Sequence, residues 1–99
     1  MTYNIWSFKL VTGTVILAHV AKWGDHVIEV VNPMRLVSPD FGIGPDVKSM
    51  EEWQIFNESE IVYLERTGFV YTAPATGHAL QQYVMMASSK IDDYIRKYQ

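Results

Sequence analysis

The sequence predicts a mainly β protein, in which five to six antiparallel strands form a strongly bent small barrel followed by one C-terminal α-helix. Residues 1–73 hold short apolar runs separated by Gly and Pro, whereas residues 74–99 repeat apolar residues at helical spacing. One predicted hairpin is apolar on both faces, which an open sheet with one wet face does not require. In a barrel, one face fills the interior and the other meets a helix or a neighbouring subunit. The 99 residues suit a single domain, with the barrel at 1–73 and the helix at 74–99.

The first strand is predicted in YNIWSFKLV, near the N-terminus. Trp6, Phe8 and Leu10 alternate there with Ser7 and Lys9, which is the period-two pattern of a half-buried strand. The two aromatic rings fall on the apolar side of this strand. We therefore expect them to pack in the core.

The next two strands, TVILAHVAK and HVIEVVN, are predicted to form a hairpin after a turn at Thr12-Gly13. Gly24 stands at the first central position of a two-residue turn, as a type II′ turn requires. Such a turn would pair Val20 with Glu29, His19 with Val30 and Ala18 with Val31. Asn32-Pro33 then interrupts the ladder, because proline has no amide hydrogen, and MRLV continues the strand after a bend.

A long acidic surface loop is predicted from Ser38 to Glu52, because this stretch contains two Pro, two Gly and several acidic residues. Three further extended segments follow, in WQIF, EIVYLE and FVYTA, and the first two are interpreted as one bent strand. Thr67-Gly68 is the predicted turn before the last strand. The adjacent carboxylates of Glu51-Glu52 are expected on a solvated face rather than in acid-base catalysis.

The C-terminal segment is predicted to be an amphipathic helix. Thr76 is a suitable N-cap, and Arg96-Lys97 suit the negative end of the helix dipole. The predicted apolar stripe consists of Leu80, Val84, Ala87, Ile91, Tyr94 and Tyr98, widened by Tyr83 and Ile95. We expect this helix either to cap the barrel or to help pack neighbouring subunits.

Charge and composition exclude several functions. The net charge is −3, and residues 40–65 carry seven acidic side chains against one lysine, so a subunit of this kind is expected to bind duplex DNA poorly. The absence of cysteine rules out disulfides and thiolate metal sites. The apolar run 15–20 is too short to cross a bilayer, which predicts a soluble cytoplasmic protein without a membrane partner.

No catalytic or metal-binding constellation is readable from the sequence. His19, His26 and His78 lack the spacing of metal ligands, and GIGP at 42–45 lacks the context of a phosphate-binding loop. No serine stands in a nucleophile elbow. We therefore expect neither a metal nor another cofactor, and the sequence disfavours an enzyme.

Two segments resemble the motifs of Sm-like (LSm) proteins. KLVTGTVILAHVAKWGDHVIEVVNPMRLV resembles the first motif, with Gly13, Ala18 and Asp25 in the expected order. YLERTGFVYTAP resembles the second, and the matching positions are Leu64, Arg66, Gly68 and Val70. NPMRLV and the terminal helix are similar to features of small Sm-like proteins from marine phages and ocean metagenomes. Such an origin would imply the cytoplasm of an infected host cell.

The resemblance implies a homo-oligomeric ring, in which an edge strand of each subunit pairs with the next subunit. It also implies single-stranded RNA at the ring, bound by a turn containing Asp25 and His26 and by the turn Arg66-Thr67-Gly68. The second motif is partly kept, with one residue inserted in Arg66-Thr67-Gly68, and the sequence departs from the first motif at two positions. Val27 stands where the family has a stacking side chain, and Glu29 stands where it has the Asn that contacts a base.

Two alternatives to RNA binding remain open at the level of sequence. One is a ring-forming structural or adaptor protein whose partner is another protein, contacted by loop 38–52 and the helix. The other, which the sequence supports less, is an enzyme whose site is not recognisable from its motifs.

Overall fold

The computed structural model describes residues 3–37, 50–53 and 61–98 of the chain. The elements, in chain order, are the strands β1 (Ile5–Leu10), β2 (Val15–Trp23), β3 (Val27–Leu36), β4 (Met50–Glu52), β5 (Ile61–Glu65) and β6 (Phe69–Pro74), and the helix α1 (Gly77–Tyr98). A 3₁₀ turn, Arg66–Gly68, joins β5 to β6. The mainly β architecture with a C-terminal helix is therefore confirmed.

The strands form one antiparallel sheet in the order β4-β3-β2-β1-β6, and β5 also pairs with β3. The first half of β3 pairs with β5, and its last residues pair with β4. Asn32, with a φ of 50°, lies between the two halves and lets the strand continue past Pro33, as predicted. Within the described ranges β5 and β6 do not pair, so each presents an open edge.

One face of the sheet carries an apolar cluster, which we call the interior cluster. It consists of Phe8, Ile16, Ala18, Val20, Ile28, Val30 and Leu64. Leu64 belongs to β5, and Phe69 of β6 packs against the same cluster although its strand lies at the far end of the sheet order. Because both ends of the sheet contact a single core, the sheet must be strongly curved.

The opposite face of the sheet is covered by α1. The helix-facing cluster consists of Ile5, Leu17, Val31, Met34, Met50, Tyr83, Ala87, Ile91 and Tyr94. Along β2, Ile16 and Ala18 point into the interior cluster while Leu17 lies under the helix. This alternation confirms that the β2–β3 hairpin is apolar on both faces because both faces are buried.

One buried side chain ties α1 to the sheet through hydrogen bonds. The Tyr83 hydroxyl accepts a hydrogen bond from the backbone N–H of His19 at 3.1 Å. Its oxygen lies 2.9 Å from the carbonyl oxygen of Asn32 and 3.1 Å from that of Val31, so its proton is donated to one of them. Burial raises the pKa of the Tyr83 hydroxyl, which keeps this group protonated.

The predicted turn and register of the β2–β3 hairpin are wrong. Trp23 pairs with Ile28, which leaves four residues between them rather than two, and Gly24 does not have the positive φ of a type II′ turn. Val20 pairs with Val30, and His19 pairs with Val31. The longer turn displaces the pairs next to it by two residues from the predicted register, and a bulge between Val20 and Lys22 reduces this displacement to one residue at Val20 and His19.

Two further predictions need correction. The predicted loop 38–52 ends in a strand, because Met50–Glu52 forms β4 against β3, and Glu51 forms an ion pair with Arg35. Residues 38–49 and 54–60 lie outside the described residues, and so does the junction of the bent strand predicted from WQIF and EIVYLE. Tyr98, which was predicted to belong to the buried stripe, is 62 % exposed, and its ring pairs with that of Tyr94.

Candidate functional site

The two turns predicted to form the site lie side by side in the structure. The backbone N–H of Arg66 donates to the carbonyl oxygen of His26 at 2.9 Å. The Nε–H of the same arginine donates to the carbonyl oxygen of Gly24 at 2.7 Å. The β2–β3 turn, Gly24–His26, and the 3₁₀ turn therefore form one continuous surface although they are far apart in the sequence.

The β2–β3 turn needs glycine at its first position because the backbone folds tightly onto itself there. A Cβ atom at Gly24 would collide with the carbonyl oxygen of Val27. The 3₁₀ turn is held from its other side, since the N–H of Val11 donates to the carbonyl oxygen of Gly68 at 3.0 Å. Backbone contacts thus fix both turns independently of their exposed side chains.

The predicted site residues are accessible. Asp25, His26, Arg66 and Thr67 are exposed, and Gly68 is partly buried. The Nε contact leaves the two terminal amino groups of the Arg66 guanidinium without a hydrogen bond or ion pair within the described part of the chain. A guanidinium of this kind can donate two parallel hydrogen bonds to a phosphate or to the edge of a base.

The charge around the site is balanced rather than strongly basic. Lys22 lies at the end of β2, opposite Glu29 in the ladder. Asp25 and Glu65 add two more carboxylates next to Arg66. Long-range attraction of phosphates is therefore weak at this surface, and a polyanion would have to be held by short-range contacts.

The two residues that depart from the Sm-like motif lie on the outer face of the sheet. Glu29 is opposite Tyr63 of β5, and Val27 is opposite Glu65. Ile28 and Val30, which alternate with them, point into the interior cluster. Glu29 is therefore a partly exposed carboxylate on the outer face.

Sequence reasoning assigned no role to Trp23, which the structure places at the start of the β2–β3 turn. Its ring is 40 % exposed and forms an edge-to-face pair with Trp6, with centroids 4.9 Å apart. Trp23 is opposite Ile28, so its ring lies at the end of the interior cluster. Its position directly before Gly24 is the sequence signal that could have indicated a role at this turn.

An open apolar cleft of about 260 Å³ lies next to the 3₁₀ turn. It is bounded by Val11 after β1, by Tyr63 of β5 and by Phe69 of β6. Tyr63 and Val11 are each 62 % exposed. The cleft therefore lies between β5 and β6, which do not pair with each other in the described residues.

No group of three or more His, Cys, Asp or Glu side chains suited to a metal ion occurs in the described ranges. His26 and His78 are exposed, whereas His19 is buried. The Nδ1 atom of His19 accepts a hydrogen bond from the backbone N–H of Asn4 at 3.0 Å, and burial lowers the pKa of this histidine. His19 is thus a neutral structural side chain.

None of the helices in the described residues is long and apolar enough to cross a membrane. Comparison of the sequence with models of known protein families gave no match, and neither did comparison with curated proteins. The resemblance to Sm-like proteins therefore rests on the two sequence motifs.

Proposed function

We propose that this chain is the subunit of an Sm-like homo-oligomeric ring that binds single-stranded RNA at the β2–β3 turn and the 3₁₀ turn. The observation that supports RNA binding most directly is the pair of hydrogen bonds from Arg66 to His26 and Gly24. They join the two motifs that the resemblance associates with RNA. The same contacts hold the Nε end of the Arg66 guanidinium in place and leave its terminal amino groups accessible.

Ring formation is supported by the edges of β5 and β6 that are unpaired within the described residues. Tyr63 on β5 and both Val70 and Tyr71 on β6 are more than 60 % exposed, which is unusual for large apolar side chains at strand edges. Pairing β5 of one subunit with β6 of the next would cover these side chains and complete the barrel-like layer. It would also repeat Arg66 around the symmetry axis, so that weak single contacts add together.

The RNA-binding proposal is tested with fluorescently labelled oligo-U and oligo-A at low salt, measured by anisotropy. Arg66→Ala is expected to weaken binding at least about tenfold, because a hydrogen bond to a charged group contributes roughly 1.5–3 kcal/mol. The backbone N–H of residue 66 still reaches His26 in this variant, so the turn is preserved.

Arg96→Ala is the matched control, since it removes one exposed positive charge near the far end of α1. It should bind RNA as the wild type does. Equal loss in both variants would indicate a general charge effect, and absence of binding by an assembled wild-type protein would refute RNA binding altogether.

A structural or adaptor ring with a protein partner is the second candidate, and one surface of α1 favours it. Met85 is 79 % exposed and Met86 is 42 % exposed, on the side of the helix away from the sheet. Exposed methionines are common at adaptable protein-binding surfaces. An assembled protein that binds no RNA at low salt would favour this candidate.

A further inference from the structure

We propose that Trp23 is the side chain on which a base of single-stranded RNA stacks, next to the guanidinium of Arg66. This inference rests on the proposed function and specifies how the site holds its ligand. In the Sm-like motif the stacking side chain follows the aspartate of the turn, where this chain has Val27. Trp23 would instead provide an aromatic surface from the strand that precedes the turn.

The partly exposed Trp23 ring lies beside the β2–β3 turn, where Arg66 is held. Trp23 immediately precedes Gly24, whose carbonyl oxygen accepts the hydrogen bond from Arg66 Nε at 2.7 Å. The Trp6 ring meets the Trp23 ring at 83°, so the two rings are not stacked on each other. The indole N–H of Trp6 donates to the side-chain oxygen of Asn4 at 2.8 Å, which fixes this supporting ring.

Because the charge of the site is balanced, stacking is expected to contribute a larger share of the RNA affinity than contacts with phosphates do. Glu29 lies opposite Lys22, and Asp25 and Glu65 lie in or beside the two turns that Arg66 joins, so one subunit has few charges free to neutralise phosphates and counterion release contributes little. Aromatic stacking contributes without net charge and tolerates any base. A tryptophan that is supported from one side and exposed on another is suited to this role.

The experiment compares Trp23→Leu with wild-type protein on oligo-U and on an abasic oligomer of the same length. Stacking on one aromatic ring contributes roughly 1–3 kcal/mol, so the substitution should weaken oligo-U binding at least about fivefold. Binding of the abasic oligomer should not change. Trp23→Phe keeps an aromatic face and should recover most of the affinity for oligo-U.

Two outcomes distinguish failure of the stacking role from failure of the proposed function. If Trp23→Leu binds oligo-U as well as the wild type does while Arg66→Ala does not, the stacking role is wrong and the proposed function stands. If the assembled wild type does not bind oligo-U, the proposed function itself is wrong.

A second measurement uses unmodified protein and is independent of whether Trp23→Leu folds. Oligo-U containing 5-bromouridine is crosslinked to the wild type by irradiation, and the attached peptide is identified by mass spectrometry. A crosslink at Trp23 is expected. Crosslinks confined to residues away from the β2–β3 turn would overturn the inference.

Discussion

At the scale of single residues, one buried tyrosine links α1 to the sheet through its hydroxyl. Tyr83 is fully buried, and its hydroxyl contacts one N–H of β2 and two carbonyl oxygens of β3. The periodicity of the helix predicted that this residue widens the apolar stripe, but it did not predict the hydroxyl contacts. The carbonyl oxygens belong to Val31 and Asn32, where β3 changes from pairing with β5 to pairing with β4, and the helical period does not indicate which strand residues face this hydroxyl.

Replacing Tyr83 with phenylalanine should therefore destabilise the fold. The change leaves the N–H of His19 without its partner in a buried position, which costs about 1–3 kcal/mol in the free energy of unfolding. Urea denaturation followed by far-UV circular dichroism measures the loss. Tyr98→Phe is the control, because that side chain is largely exposed and its substitution should leave the stability almost unchanged. Equal stability of the two variants would contradict the docking role of the hydroxyl.

At the scale of elements, the sequence predicted the existence of most strands and the helix, but not how the hairpin closes. An extra residue reverses the alternation beyond it, but β2 is apolar on both faces, so the pattern does not mark the bulge between Val20 and Lys22. Gly24 was correctly expected in the turn, although for the wrong reason. It is required by the close approach of the Val27 carbonyl oxygen rather than by a positive φ. The short strand β4 was not predicted, because its three residues are too few to show the two-residue period of a strand.

The same turn gives a test at this scale. Gly24→Ala should destabilise the protein by about 1–3 kcal/mol, because the added methyl group meets backbone that cannot move without opening the turn. Gly68→Ala is matched to it in the adjacent 3₁₀ turn, where an added Cβ has no neighbour within 4 Å and φ is not positive. That variant should unfold close to the wild-type midpoint in the same denaturation assay. Comparable losses in both proteins would show that the close approach at Gly24 is not the constraint.

At the scale of the whole molecule, the doubled apolar faces of the hairpin predicted two buried layers, and both are present. The two motifs also pointed to turns that the fold does bring together. Assembly lies beyond what a subunit sequence specifies, because it depends on which edges remain unpaired after folding. Within the described residues, β5 and β6 each have an unpaired edge, as does β4 at the end of the sheet order, and Val70 on β6 is 66 % exposed.

The mass of the protein in solution, measured by light scattering at micromolar concentration, tests ring assembly most directly. We expect an integral multiple of the 11.4 kDa subunit mass, with three or more subunits. Val70→Lys should reduce this mass by placing a charge on the β6 edge, whereas Met85→Lys on the helix should not. A wild-type mass of one subunit would contradict the ring and, with it, the repeated presentation of Arg66.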